Sequence, residues 1–413
     1  MKRFFLFLLG IISCHLLTAQ NIDTAKSLLK SKKLLEAKKE IDAAVPLPKY
    51  LKYAETYYVK AKVYNAIAMD PVLSKQFPGS RMEAFQAIKK YTEMDKNMLS
   101  LQIDGYQPIN QVYTGYYQDA ATDFNAKEYA KALDGFANAI KVSSFMNEKG
   151  WIKMPVDTNS ILYAGVAAEK VKQDGKAAEY YGMLIDARAK GEGFIEIYKW
   201  VANYYYEKKD MALANRYLLT GKEVYPADPF WISLELDITR EKGNSAELFA
   251  LYDKIIKAET ANYLYRYNYA VELYQAGYNS DRSKRPVNST ALMSKAEEQI
   301  KETTRIAPTY TKAWLFAGQI IYNYGVDLLD DATKAMEEGK KVGFKTSALQ
   351  KFKEAIPYLL KAEEQLSTIK PLKGRDKDDL KETLDILSTI YDQTGDQVKV
   401  KEYQQKFNAI DKN

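Results

Sequence analysis

Thiols and imidazoles are almost absent from this chain. Its 413 residues include one Cys and one His, Cys14 and His15, next to each other near the N-terminus. The surrounding stretch starts Met1-Lys-Arg, runs apolar from Phe4 to Leu17 and ends Thr18-Ala19-Gln20. These are the basic, apolar and small-residue parts of a secretory signal peptide, expected to span residues 1–20. A chain cleaved there carries neither side chain. That excludes disulfides, Ser-His-Asp and Cys-His triads, Cys/His zinc sites and axially ligated haem. The apolar core must then hold the fold without covalent staples. Long apolar runs are missing too. The leader is short of the roughly 20 residues a bilayer span needs, and nothing later approaches it. No transmembrane span is expected after cleavage. A concentrated charge of one sign is also lacking. Lys plus Arg number 60 and Asp plus Glu 54, for a net +6. The signs interleave, as at Lys32-Lys33, Glu36 and Lys38-Lys39-Glu40. Nucleic-acid binders concentrate basic residues on one face, so nucleic acid is not an expected partner. The densest basic run, Arg282-Ser-Lys284-Arg285, reads as a solvated loop. EF-hand spacing, P-loop, GxGxxG and GxSxG are absent, and no cofactor or metal is expected.

The leader has a second reading. Ile11-Ile12-Ser13-Cys14 is similar to a lipobox, in which Cys14 becomes a lipidated first residue. Against it, His15-Leu16-Leu17 prolongs the apolar stretch where a polar tether would begin. Cleavage near Ala19–Gln20 is the expectation, with a lipid anchor at Cys14 or an uncleaved anchor as alternatives. The expected location is the periplasm or the outer-membrane surface.

What the chain has in abundance is helical periodicity. Apolar residues recur at three- and four-residue spacing, and strand-length alternation is nearly absent. Seven stretches share one rhythm: an Ala, a large residue four later and usually a small one three beyond. They are Ala37–Ile41–Ala44, Ala84–Ile88–Tyr91, Ala132–Phe136–Ala139, Ala177–Tyr181–Leu184, Ala214–Leu218–Gly221, Ala296–Ile300–Thr303 and Ala355–Leu359–Ala362. Twelve residues upstream stand Ala120, Gly165 and Ala202 in three of them. Ala61, Ala270 and Gly318 precede insertions in others. Polar breaks such as Gln173-Asp-Gly175 and Lys208-Lys-Asp210 fall between.

This pattern resembles the tetratricopeptide repeat, a period of about 34 residues with Trp-x2-Leu-Gly-x2-Tyr, then Ala-x3-Phe, then Pro. The clearest copy runs from Ile195 to Pro226, with Tyr198, Val201, Ala202 and Tyr205, then Ala214, Leu218 and Gly221. Another begins at Thr311 with Trp314, Ala317, Gly318 and Ile321, following the closing Ile306-Ala-Pro308. Asp228 to Glu259 fits more weakly, with Glu235 and Glu247 at the small positions. Leu387 to Phe407 is similar to a terminal copy. The resemblance covers residues 21–413 as eight or nine helix pairs and extends to exported repeat proteins of Bacteroidetes-type bacteria. It implies an all-α fold: a helical-repeat solenoid, a right-handed superhelix of antiparallel helix pairs. One pair cannot bury its apolar face alone, and stacked pairs share one core. Insertions are expected near 70–80, 276–290 and 325–347, the last as a prolonged helix. A loop is expected over Phe145–Asp157 and a charged linker over Ile369–Asp379.

Tyrosine is over-represented, with 33 residues. Most should pack between helices. In the family, fixed positions of each first helix line the inner groove. Carried over, they are Tyr58, Lys62, Asn65, Tyr117, Phe124, Lys199, Asn203, Tyr206, Tyr267, Tyr274, Gln319, Tyr322 and Asn323. Tyrosine supplies contact area at low entropic cost and a hydrogen-bonding tip, which suits peptide or glycan recognition. Lys199 and Asn203 match part of the family's carboxylate clamp, but Ser233, Leu264 and Asn268 follow where an amide and two cations are needed. Asp327, Asp330, Asp331, Glu337 and Glu338 read as solvated charge rather than a cation or acid/base site. None of the expected groove residues is a carboxylate, which favours binding over catalysis. The implied function is a non-enzymatic scaffold of the cell envelope holding another protein or an extended peptide. A glycan-binding envelope protein, lipidated at Cys14, is the alternative.

Overall fold

The computed structural model describes residues 21–154, 156–338 and 343–411. The expected signal peptide and Cys14 lie outside the described residues, as do Pro155 and part of the expected prolonged helix. The described residues form α-helices joined by turns and loops, with no strand among them. Two compact units result, 1–235 and 236–413. The fold is all-α and repetitive, as the periodicity predicts.

The first unit holds α1 (Ile22–Lys30), α2 (Leu34–Ala44), α3 (Ala54–Met69), α4 (Ser80–Met94), α5 (Gln107–Asn125), α6 (Tyr129–Glu148), α7 (Thr158–Lys170), α8 (Asp174–Asp186), α9 (Phe194–Glu207), α10 (Met211–Val224) and the start of α11 (Phe230–Glu241). Each odd-numbered helix up to α9 packs on the even one after it, and each even one up to α8 on the next odd one. The hairpin turns repeat one device. Lys32, Lys127, Lys172 and Lys209 sit at φ 59–63°, each just past a first helix, where the left-handed conformation reverses the chain. After the last of these, the Asp210 carboxylate caps α10 by accepting from Leu213 N at 3.0 Å, satisfying one of the helix's orphan donors.

The second unit continues with α12 (Ser245–Ala258), α13 (Tyr263–Gly277), α14 (Ser289–Ile306), α15 (Thr311–Glu337), α16 (Phe344–Ser367), α17 (Gly374–Thr394) and α18 (Gln397–Ala409). Here α13 pairs with α14, α15 with α16 and α17 with α18, and α17 also touches α15.

The small–large rhythm is explained by packing. All seven stretches fall on second helices, and their Ala and large positions are buried. The large residue fills the space that a small one opens on the facing first helix. A Cβ on Gly165 would lie 2.3 Å from the Tyr181 ring, and one on Gly318 would lie 2.6 Å from Leu359. Close helix approach therefore requires small residues at these positions.

Three local expectations are corrected. Helix α6 continues to Glu148, so its last turn takes the start of the expected 145–157 loop. Helix α17 begins at Gly374 and takes the second half of the expected linker. The Arg282–Arg285 run is solvated except at its last residue, so the solvated-loop expectation fails only there. Arg285 keeps only 9% of its side chain exposed and pairs with Asp327.

Candidate functional site

The inner faces of the two units differ. On α3 the expected groove residues are turned to internal use. Tyr58 is 4% exposed and Asn65 is 3% exposed, so neither forms a groove wall. The Tyr58 hydroxyl donates to Ser100 O at 3.1 Å and to Asp104 Oδ2 at 2.5 Å. Lys62 Nζ donates to the same carboxylate oxygen at 2.8 Å. Asn65 Nδ2 donates to Gln111 Oε1 at 2.6 Å. Asp104 ends the short helical turn Leu99–Ile103, which plugs this face. The Lys62 and Tyr58 hydrogen bonds hold Asp104 below the usual carboxylate range. Burial, then the Asp104 bond, pushes the Tyr58 phenol far up.

Tyr117 and Phe124 on α5 are half-buried, with edge-to-face contacts on Phe136 at 5.7 and 6.3 Å. Phe124 also meets Tyr163 at 5.4 Å, a partly exposed ring of α7 that the carry-over misses. On α9, Lys199 is claimed by acids. Its Nζ lies 2.8 Å from Asp228 and 3.1 Å from Glu196. The hydrogen bond to Asp228 is the main cause raising the Lys199 pKa. Asn203 donates to Glu207 at 2.7 Å, and Lys209 covers the Tyr206 ring at 5.3 Å. Carboxylates therefore stand beside the expected groove residues, though none of those residues is itself one. The cation that a carboxylate clamp would use is neutralised from within.

In the second unit the expected residues come together. Tyr263, Tyr267 and Tyr274 share one face of α13, at offsets of four and eleven, while Tyr310 and Phe316 lie at the start of α15. Their rings form a continuous row. Tyr263 meets Tyr310 at 5.0 Å, Tyr310 meets Tyr267 at 5.1 Å, and Tyr267 meets Phe316 at 6.2 Å. Phe316 meets Tyr274 at 5.4 Å, and Tyr274 stacks on Tyr278 at 4.8 Å. All six rings are half-buried.

The far end of the row is locked. The Arg285 guanidinium lies 4.5 Å over the Tyr278 ring and donates to both Asp327 oxygens at 2.5 and 2.9 Å. Arg282 pairs with Asp331, so the acids expected to be solvated hold the basic loop down. Asn323 Nδ2 donates to Tyr274 Oη at 2.6 Å. Burial, then the neighbouring Tyr278, keeps Tyr274 protonated well beyond the usual phenol range.

Helix α17 borders the same face. Gln319 Nε2 donates to Glu382 Oε1 at 2.6 Å. Tyr322 is half-buried against the Phe352 ring at 5.6 Å and feels the charge of Asp385. Sequence reasoning finds Tyr267, Tyr274, Gln319, Tyr322 and Asn323 but misses Tyr263, Tyr278, Tyr310 and Phe316. The four-residue ring spacing from Tyr263 to Tyr267 and from Tyr274 to Tyr278 was the available signal.

No family model and no curated protein matches the chain. The chain is similar in structure to tetratricopeptide-repeat proteins. The C-terminal part of one from Cytophaga hutchinsonii is 14% identical, with 95% of this chain and 96% of that chain covered, at a TM-score of 0.24. A repeat protein from Bacteroides fragilis is 17% identical, with 72% of this chain and 98% of that chain covered, at a TM-score of 0.29. The functional reading rests on the chain's own packing and inner faces.

Proposed function

We propose that this chain is a non-catalytic scaffold that holds an extended segment of a partner protein along the inner face of its second unit. The aromatic row from Tyr263 to Tyr278 carries this reading. Half-buried rings give contact area at little cost in side-chain entropy. The lysines and amides on the inner face of the first unit are bonded internally, so that face is the lesser candidate. The export-type leader supports a place in the bacterial cell envelope.

The test is peptide binding by the full chain, read by fluorescence anisotropy against a varied library of extended peptides. Tyr267→Ala and Phe316→Ala should each weaken the bound members about tenfold. Lys199→Ala should leave them unchanged. Retention of soluble polysaccharide with no peptide bound would replace this reading with the glycan-binding one.

A further inference from the structure

We infer that the groove of the second unit selects a basic segment, an extended peptide rich in Lys or Arg. This rests on the scaffold reading and adds the chemistry of the partner. The observation is the pairing of two surfaces, an aromatic floor on α13 and α15 and an acidic wall on α17.

On helix α17 three acids follow the exposed Arg375 along one side. Asp378, Glu382 and Asp385 recur at offsets of four and three, a spacing that puts them on one side of a helix. All three are exposed. That side borders the floor, because Glu382 accepts from Gln319 of α15 and Asp385 acts on Tyr322. Lys377 and Lys381 turn elsewhere, and both pair with Asp411. Near the start of the wall, Arg375 and then Asp379 act on Tyr267. The cations near Asp379 are Arg375, at 3.9 Å, and Lys312. Burial raises the Asp379 pKa, and these two cations only partly offset it, while Asp376 and Asp378 push it further up. Three exposed carboxylates, Asp378, Glu382 and Asp385, thus stand against one exposed cation, Arg375, along this side.

A Lys or Arg side chain supplies what both surfaces lack. Its aliphatic stem lies along a ring, and its charged head reaches a carboxylate. A guanidinium over a Tyr face gains a cation–π contact. The fold uses that geometry internally, where Arg285 sits on Tyr278 and reaches Asp327. An acidic peptide would meet like charge along the wall from Asp378 to Asp385.

The experiment uses the full chain and three labelled peptides on one Gly/Ser/Ala framework, bearing Lys, Glu or no charge. The Lys peptide should bind about tenfold or more tighter than the Glu peptide. Raising salt from about 50 to about 300 mM should narrow that gap, because exposed pairs are screened. The triple variant Asp378→Asn, Glu382→Gln, Asp385→Asn should abolish the preference with an unchanged thermal melt. Glu364→Gln on α16, away from the wall, should retain it. If the triple variant melts early, Asp385→Asn alone serves, and it should lower Lys-peptide affinity several-fold.

Equal affinity for all three peptides, or preference for Glu, would overturn the charge inference and leave the scaffold reading standing. Binding of none of them, with retention of soluble polysaccharide in affinity electrophoresis, would overturn both.

Discussion

The first unit and the second unit place similar residue types on corresponding helices and use them differently. On α3 and α9, Lys62 and Lys199 are neutralised by Asp104 and Asp228, and Tyr58 is buried beneath a helical turn. On α13 and α15 the tyrosines remain half-open and line up. A repeat position thus specifies where a side chain emerges, and the neighbouring segment decides whether it stays available. The turns differ in parallel. Lysines take the left-handed position in the first unit, while Gly243 and Gly395 take it in the second.

Five substitutions test this contrast. The largest effect belongs to the lock of the second unit. Asp327→Ala removes both carboxylate acceptors of a guanidinium only 9% exposed and leaves it Asn279 O and the Tyr278 ring, so the cost should be at most the roughly 3–5 kcal/mol of breaking a buried pair. Urea unfolding should show a clear loss of stability. A loss under about 1 kcal/mol would mean that Arg285 finds water instead.

Next comes the plug of the first unit. Tyr58→Phe deletes a buried hydroxyl's bond to a carboxylate, at a cost of about 1.5–3 kcal/mol. Because Asp104 is held below its ordinary value, the stability it contributes is present above the unfolded carboxylate pKa, near 4. It is lost as pH falls through the lower folded value. Wild type and Tyr58→Phe should therefore converge in acid, and a constant gap down to pH 2 would assign the effect to packing.

Third, the turns can be exchanged. Lys209→Gly relieves a left-handed non-glycine residue and should stabilise by about 1 kcal/mol, whereas Gly395→Lys should lose a similar amount. Thermal melts compare the two. Smallest of all, Lys199→Ala removes a partly exposed ion pair and should cost under about 1 kcal/mol. A larger loss would make that pair a structural clasp.

The helix pairs were legible because their signal is local. Ala-to-large spacing within one helix, and small residues such as Gly165 and Gly318 on its partner, follow from close packing and leave a mark in a short window. The site was legible only in part. Tyr267, Tyr274 and Asn323 could be carried over because the repeat fixes their direction. The partners that decide availability come from far along the chain, with Asp104 at 42 residues from Lys62 and Glu382 at 63 from Gln319. No local pattern links such pairs. Only Arg285 of the basic run misled, and for the same reason, since charge density is visible in a window while the opposing Asp327 is not.

That run has a further consequence. Arg282 and Lys284 offer trypsin two closely spaced cleavage positions, while Arg285 precedes Pro286 and is not cut, and the three side chains are unequally presented. Lys284 is 69% exposed, Arg282 is 38% exposed and held by Asp331, and Arg285 is sealed. A protease needs a segment it can draw out, so nicking here reports how often the two arginines let go. With both clasps closed, the most basic stretch of the protein becomes a poor substrate, and its digestion rate becomes a clock for the opening of the loop at the Tyr278 end of the aromatic row.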